Sequence, residues 1–336
     1  MIKKIQVSTS LTPNLLMHIF SCLEVEGSFY DTNYGMKHHF TLLEEEYELW
    51  QNNAKKCMAL GCNTELYAIL FQIPSYIPAE DVEMILDSFD KISEAVEEGS
   101  IDSLIISYPE LFDGLPIYAP KEIFDNHFKR LNEHKEIIKE VITQFQQVLS
   151  GVWERFYSDY WEKKALPKLM KKTEDVNMII KPINIINSWQ KVLGIEYPYN
   201  EFIALLVEPT TTIATNLLAE KIVISANLED LEIYRILVQE VGRSFLLNTS
   251  LFEHEKLKAI TESNVEKLSL IVDAACIYLK RTLFETLRIR PNDPDPYIIQ
   301  GIQDVIQIFG TIWESMVEKD ILEALVQTYN KLTPIV

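Results

Sequence analysis

From about residue 10 to residue 175, apolar residues recur at steps of three and four, the period of helices that each bury one face. Thr12-Pro13 opens the first, since proline suits the first helical turn, and Leu15, Leu16, Ile19, Phe20 and Leu23 form its apolar side. The spacing predicts a second helix from Thr41 to Leu60, a third beginning at Pro78-Ala79-Glu80-Asp81, and a long one from Pro120 to Ser150. After Gly151 the aromatics Trp153, Phe156, Tyr157, Tyr160 and Trp161 keep the same step, which predicts core packing.

The pattern changes near residue 175. Met178-Ile179-Ile180, ahead of Pro182, fits a short strand, and Asn187 to Leu193 fits a helix stopped by Gly194. Phe202 to Val207 is a continuous apolar run of the kind a buried strand shows, and Lys221 to Ser225 is a second strand. Thr210 to Ile213 between them suits either strand or loop. Helices are expected from Leu228 to Asn248 and from Lys256 to Leu287, a break at Pro291 to Pro296, and closing helices at Ile298–Ile308 and Ile312–Tyr329. The expected fold class is therefore mainly α (α+β). A helical N-terminal domain, 1–175, precedes a C-terminal domain, 176–336, with a small β-sheet packed on helices and C-terminal helices.

Composition narrows this picture. Only ten glycines in 336 residues disfavour a barrel or sandwich rich in tight turns. A net charge of −19 excludes a nucleic-acid partner bound through a basic surface. The eight carboxylates between Glu80 and Ser100, against the single Lys91, fit a solvated helix face. With no apolar run of membrane-spanning length and no signal-like h-region, neither a membrane partner nor export is expected. Cys22, Cys57, Cys62 and Cys276 have neither disulfide nor zinc-knuckle spacing, so reduced thiols in a cytoplasmic protein are expected. The Ile, Lys, Asn and Glu usage suits a bacterial source.

Candidate chemistry centres on Val238-Gln239-Glu240-Val241-Gly242-Arg243-Ser244-Phe245. Two strands followed by a helix with this stretch resemble an HExxH metallopeptidase of the gluzincin type, over roughly residues 200–285. In that signature two histidines one turn apart bind zinc and the glutamate between them is the general base. The resemblance makes Glu240 the vestigial general base and puts Gln239 and Arg243 at the histidine positions. It makes Glu262 the third ligand, with Thr261-Glu262-Ser263-Asn264-Val265-Glu266 similar to Asn-Glu-x-x-x-Asp but departing from it at the first and last positions. An amide oxygen is a weak zinc donor, and a guanidinium has no lone pair to give and repels a cation. No metal or other cofactor is therefore expected.

Helical phase can be read independently of that resemblance. Leu231, Tyr234, Val238, Val241 and Phe245 form one stripe, while Gln239, Glu240 and Arg243 lie on the other side among Ile233, Ile236 and Leu247. A helix apolar nearly all round is buried, so its polar cluster implies a cleft or an internal network. If residues 256–287 form one helix, Glu262, Glu266, Ser269 and Asp273 share a face. Arg243 would then act as the cation that bridges Glu240 or Glu262 between two helices. His254, between Glu253 and Glu255, is a possible supporting residue. Adjacent His38 and His39 point apart and do not share an ion.

The expectation is a catalytically inactive, zincin-like pseudoenzyme that serves as a binding or structural protein for a protein or peptide partner. The alternative is a metal-dependent peptidase with an atypical zinc site and Glu240 as general base. A helical interaction protein is the reading left if residues 200–226 form no sheet.

Overall fold

The computed structural model describes residues 3–25, 30–109, 121–211, 214–218, 220–247, 254–286 and 301–332. The fold is mainly helical, with one small mixed sheet. Strand β1 (Lys4–Ser8) leads into α1 (Leu11–Leu23), α2 (Thr32–His38) and α3 (Glu44–Ala59). Then come α4 (Asn63–Tyr67), a π-helical turn at Ala68–Gln72, α5 (Ile73–Tyr76), α6 (Val82–Glu98) and α7 (Asp102–Ser107). The expected helix from Pro120 to Ser150 is two helices, α8 (Lys121–Asn132) and α9 (Lys135–Val152). The aromatic segment winds through π-helical turns at Trp153–Tyr157 and Trp161–Ala165, on either side of α10 (Ser158–Tyr160).

Next follow α11 (Leu166–Ile180), α12 (Ile185–Leu193), β2 (Glu201–Val207), β3 (Ala214–Leu218) and β4 (Lys221–Ser225). The chain continues through α13 (Asp230–Leu246), α14 (Glu255–Ser263), α15 (Val265–Thr286), α16 (Ile302–Ser315) and α17 (Ile321–Leu332). The expected break at Pro291 to Pro296 lies outside the described residues.

Local chemistry explains several boundaries. Asp81 caps α6 by accepting from Met84 N, and Gly99, at φ 66°, closes it in the left-handed region. Asn184 caps α12 in the same way, and Gly194 ends it at φ 69°. The long helix expected from Lys256 is interrupted at Asn264, whose φ of −161° and ψ of 86° are not helical. Its side chain instead accepts from Lys267 N and starts α15.

The sheet order is β1-β2-β4-β3, with β1, β2 and β4 parallel and β3 antiparallel at the edge. Two of its strands are the expected runs. β1 is an addition: Ile5 and Val7 turn inward between exposed Lys4 and Gln6, in register with Phe202 and Ala204. Met178-Ile179-Ile180 is not a strand but the last helical turn of α11, where Asn177 Nδ2 donates to Val7 O at 2.9 Å. Pro182 follows that turn and so ends the helix without disturbing it. The expected boundary at 175/176 falls inside α11, and the sheet draws strands from both segments.

Helix α13 packs on α11, α12 and α15. Its approach to α12 requires Gly242, because a Cβ there would lie 2.4 Å from Trp189 Cζ2. Trp189 Nε1 donates to Val238 O at 2.7 Å, one turn earlier on α13. The glycine of the motif thus has a packing reason of its own. Gly242→Ala forces the buried indole aside and should cost about 2 kcal/mol by overpacking, measured by chemical denaturation. An unchanged unfolding midpoint would refute this contact.

Candidate functional site

Gln239, Glu240 and Arg243 come together as an internal network between α13 and α15, not along a cleft. Gln239 and Glu240 are each 2% exposed, and Lys280 is 4% exposed. Arg243 Nη1 donates to Glu240 Oε2 at 3.1 Å, one turn back on the same helix. Its Nε lies 2.6 Å from Asp273 Oδ1 on α15, a close charge contact. From the same side of α15, Lys280 Nζ donates to Gln239 Oε1 at 2.5 Å. Among the described residues two acids, Glu240 and Asp273, and two bases, Arg243 and Lys280, therefore meet across the two helices.

Burial sets the electrostatics of this cluster. It pushes the Asp273 carboxyl up, against the downward pull of Arg243. Cys276, one turn beyond Asp273 and fully buried, has its thiol held well above the usual range by burial and by the Asp273 carboxylate, which makes it an inert sulfur. The buried Cys276 thiol therefore suits neither a nucleophile nor a metal-bound thiolate.

The side chains of Glu262 and Glu266 lie outside the described residues. Their backbones are on different helices, because Asn264 separates α14 from α15. The single face expected to join Glu262 to Asp273 therefore is not a continuous helical face. His254 is an exposed N-cap of α14, where its ring accepts from Lys256 N at 3.4 Å.

The donors present do not fit zinc. The Gln239 oxygen is engaged by an ammonium group, and Arg243 places a cation between two carboxylates. Glu240 Oε1 is buried without a hydrogen-bond partner among the described residues, but one carboxylate oxygen is not a ligand set. Among the described residues no three His, Cys, Asp or Glu side chains are grouped so as to hold a metal ion. No helix among them is long and apolar enough to cross a membrane.

A second polar cluster, which the sequence reading did not assemble, lies beyond the carboxyl ends of β1 and β2. Glu208, directly after β2, pairs with Lys168 and accepts from Tyr160 OH at 2.9 Å. Tyr160 is hydrogen-bonded to Tyr34, and Tyr34 OH lies 3.0 Å from His18 Nδ1. His18 Nε2 is 3.3 Å from Thr41 Oγ1.

One proton per hydroxyl fixes the direction of this chain. The carboxylate only accepts, so Tyr160 donates to Glu208, Tyr34 to Tyr160, and His18 Nδ1–H to Tyr34. His18 Nε2 is then the acceptor from Thr41. His38 stacks on Tyr34 with ring centroids 4.3 Å apart, and neither of its buried nitrogens has a hydrogen-bond partner among the described residues. His39 is exposed, so the two adjacent histidines do point apart. The helical steps of Phe156, Tyr157 and Tyr160 were legible in sequence. Their meeting with His18 and His38 depends on the π-helical turn at Trp153–Tyr157, which shifts the phase of the aromatics.

Burial, with a smaller contribution from His38, lowers the His18 pKa to about 3. A histidine held neutral in the fold stabilises it fully above its unfolded pKa of about 6.5 and loses that contribution as pH falls toward 3. Unfolding free energy should therefore drop below pH 6.5, by about 1.4 kcal/mol per pH unit from His18. His18→Gln should remove that share of the slope in denaturation measured across this range, and an unchanged slope would show that His18 is not held neutral. Compared with models of protein families, with curated proteins and with solved structures, the chain matches none.

Proposed function

We propose that this chain is a zincin-like protein without peptidase chemistry, a binding or structural scaffold whose former metal helix is rebuilt as an ionic joint. The observation that carries this reading is the place of Arg243, 3.1 Å from Glu240 on its own helix and 2.6 Å from Asp273 on the next. A guanidinium there joins two acidic elements, as a metal ion joins ligands from two helices, but it supplies no Lewis acid and no bound water. The chain runs through β2, β3 and β4 into α13, one strand more than the two that the resemblance counts before its helix.

The peptidase alternative needs Glu240 to take a proton from water beside a substrate. A general base must lie within hydrogen-bond reach of the proton it removes. Glu240 is buried and its Oε2 is already paired with Arg243, which favours the joint over the base.

Metal analysis of protein purified without added zinc tests the reading. We expect less than ~0.1 zinc per chain and an unfolding midpoint unchanged by a chelator, because no metal contributes to folding. Stoichiometric, chelator-sensitive zinc would overturn it.

A further inference from the structure

The edge of the sheet opposite β3 carries a second feature, unconnected to the ancestry of α13. Among the described residues β1 is an edge strand that pairs with β2 alone, and a groove of about 420 Å³ runs beside its first residues. Lys3 lines it from just before β1, Lys4 and Ile5 from β1, Ile180 and Lys181 from the end of α11, and Ile183 from the turn into α12. The groove is amphipathic: its lining holds isoleucines and three lysines, with no acidic side chain among them.

Three properties decide what fits. The first is the free backbone. N–H and C=O groups alternate sides along a strand, and Asn177 takes the Val7 carbonyl at the far end of β1. The residues in phase with Val7, namely Ile5 and Lys3, lie at the groove. The second is charge. On a chain of net −19, a lining with three lysines and no acid marks a local reversal of sign. Lys4 is shared with Glu201 at 3.3 Å, whereas Lys181 is exposed and makes no ion pair among the described residues.

The third is the apolar lining. Lysines on a sheet edge commonly serve only to repel other strands. Those protective lysines stand over open solvent, but here they rim a groove with half-buried Ile5 and Ile183 in it. A second copy of this chain is a poor occupant, since it would bring the same lysines face to face.

We propose that an extended segment of a partner protein, alternating acidic and apolar residues, adds to the free edge of β1 as a short fifth strand. Backbone pairing with β1 holds it, its apolar side chains reach the isoleucines on the Ile5 face, and its carboxylates, on the opposite face, meet Lys4 and Lys181.

The probe is an acetylated, amidated peptide of alternating valine and glutamate, titrated into the full chain by calorimetry and followed by amide NMR shifts. Saturable binding is expected, with the largest shifts at Lys3 to Ile5. Affinity should fall at least ~10-fold in the Lys4→Glu/Lys181→Glu variant and at least ~10-fold when alternate peptide amides are N-methylated. N-methylation leaves the protein untouched, so that arm does not depend on the variant folding. Absence of saturable binding at ~1 mM peptide would overturn the proposal. So would equal binding of the valine–lysine counterpart, or no effect of N-methylation. A concentration-dependent dimer joined through β1 would also overturn it, by making a second copy the occupant.

Discussion

Charge buried between α13 and α15 has to be balanced where it lies, and this constraint organises the C-terminal half of the chain. Removing a carboxylate from water costs several kcal/mol unless a cation and hydrogen bonds replace the solvent. Glu240 and Asp273 approach each other across the helix pair with Arg243 between them, and Lys280 satisfies Gln239 beside them. The geometry is restrictive. Arg243 reaches both carboxylates only if α13 and α15 keep their present spacing and rotation. A second close contact of α13, the seat of Trp189 from α12 on Gly242, fixes its approach to α12. A buried ionic joint of this kind need not add net stability over an apolar one, but it leaves few alternative registers for the two helices.

The two ends of the sheet differ in character. Beyond the carboxyl ends of β1 and β2, hydrogen bonds run from Glu208 through two tyrosines to His18, closed off by aromatic rings. At the amino end of β1 the backbone edge and a lysine-rimmed groove remain open. Polar groups of the first kind are satisfied internally and rigidify the core. Those of the second kind have donors, acceptors and charge to offer to another chain. Among the described residues, the groove rather than the Glu240 helix presents the accessible chemistry.

Much of the helical layout was legible because period and caps agree: α1, α6 and α12 each pair an apolar stripe with a start or stop residue. β2 and β4 were legible as apolar runs bounded by turns. β1 was not, since Lys-Ile-Gln-Val-Ser has only two apolar residues and its partner lies almost 200 positions away. Met178-Ile179-Ile180 misled because a short apolar run does not itself distinguish a strand from a helical turn.

At the site, Gln239, Glu240 and Arg243 were legible from the motif, and burial of their helix from its nearly continuous apolar surface. The partners across the helix pair were harder to identify. Phase counted through Asn264 assumed one unbroken helix, whereas the break resets it and leaves Asp273 to meet Arg243. Lys280 gave no signal at all, because a lysine at helical spacing ordinarily faces water.

The most direct test of the ionic joint is a double-mutant cycle on Arg243 and Asp273, with Arg243→Met, Asp273→Asn and the double variant compared by chemical denaturation. If the guanidinium joins the two helices, the coupling energy should be at least ~1.5 kcal/mol, and Arg243→Met should be the costlier single change because it strands two buried carboxylates. Effects that add to within ~0.3 kcal/mol would contradict the account, since independent side chains cannot hold α13 to α15.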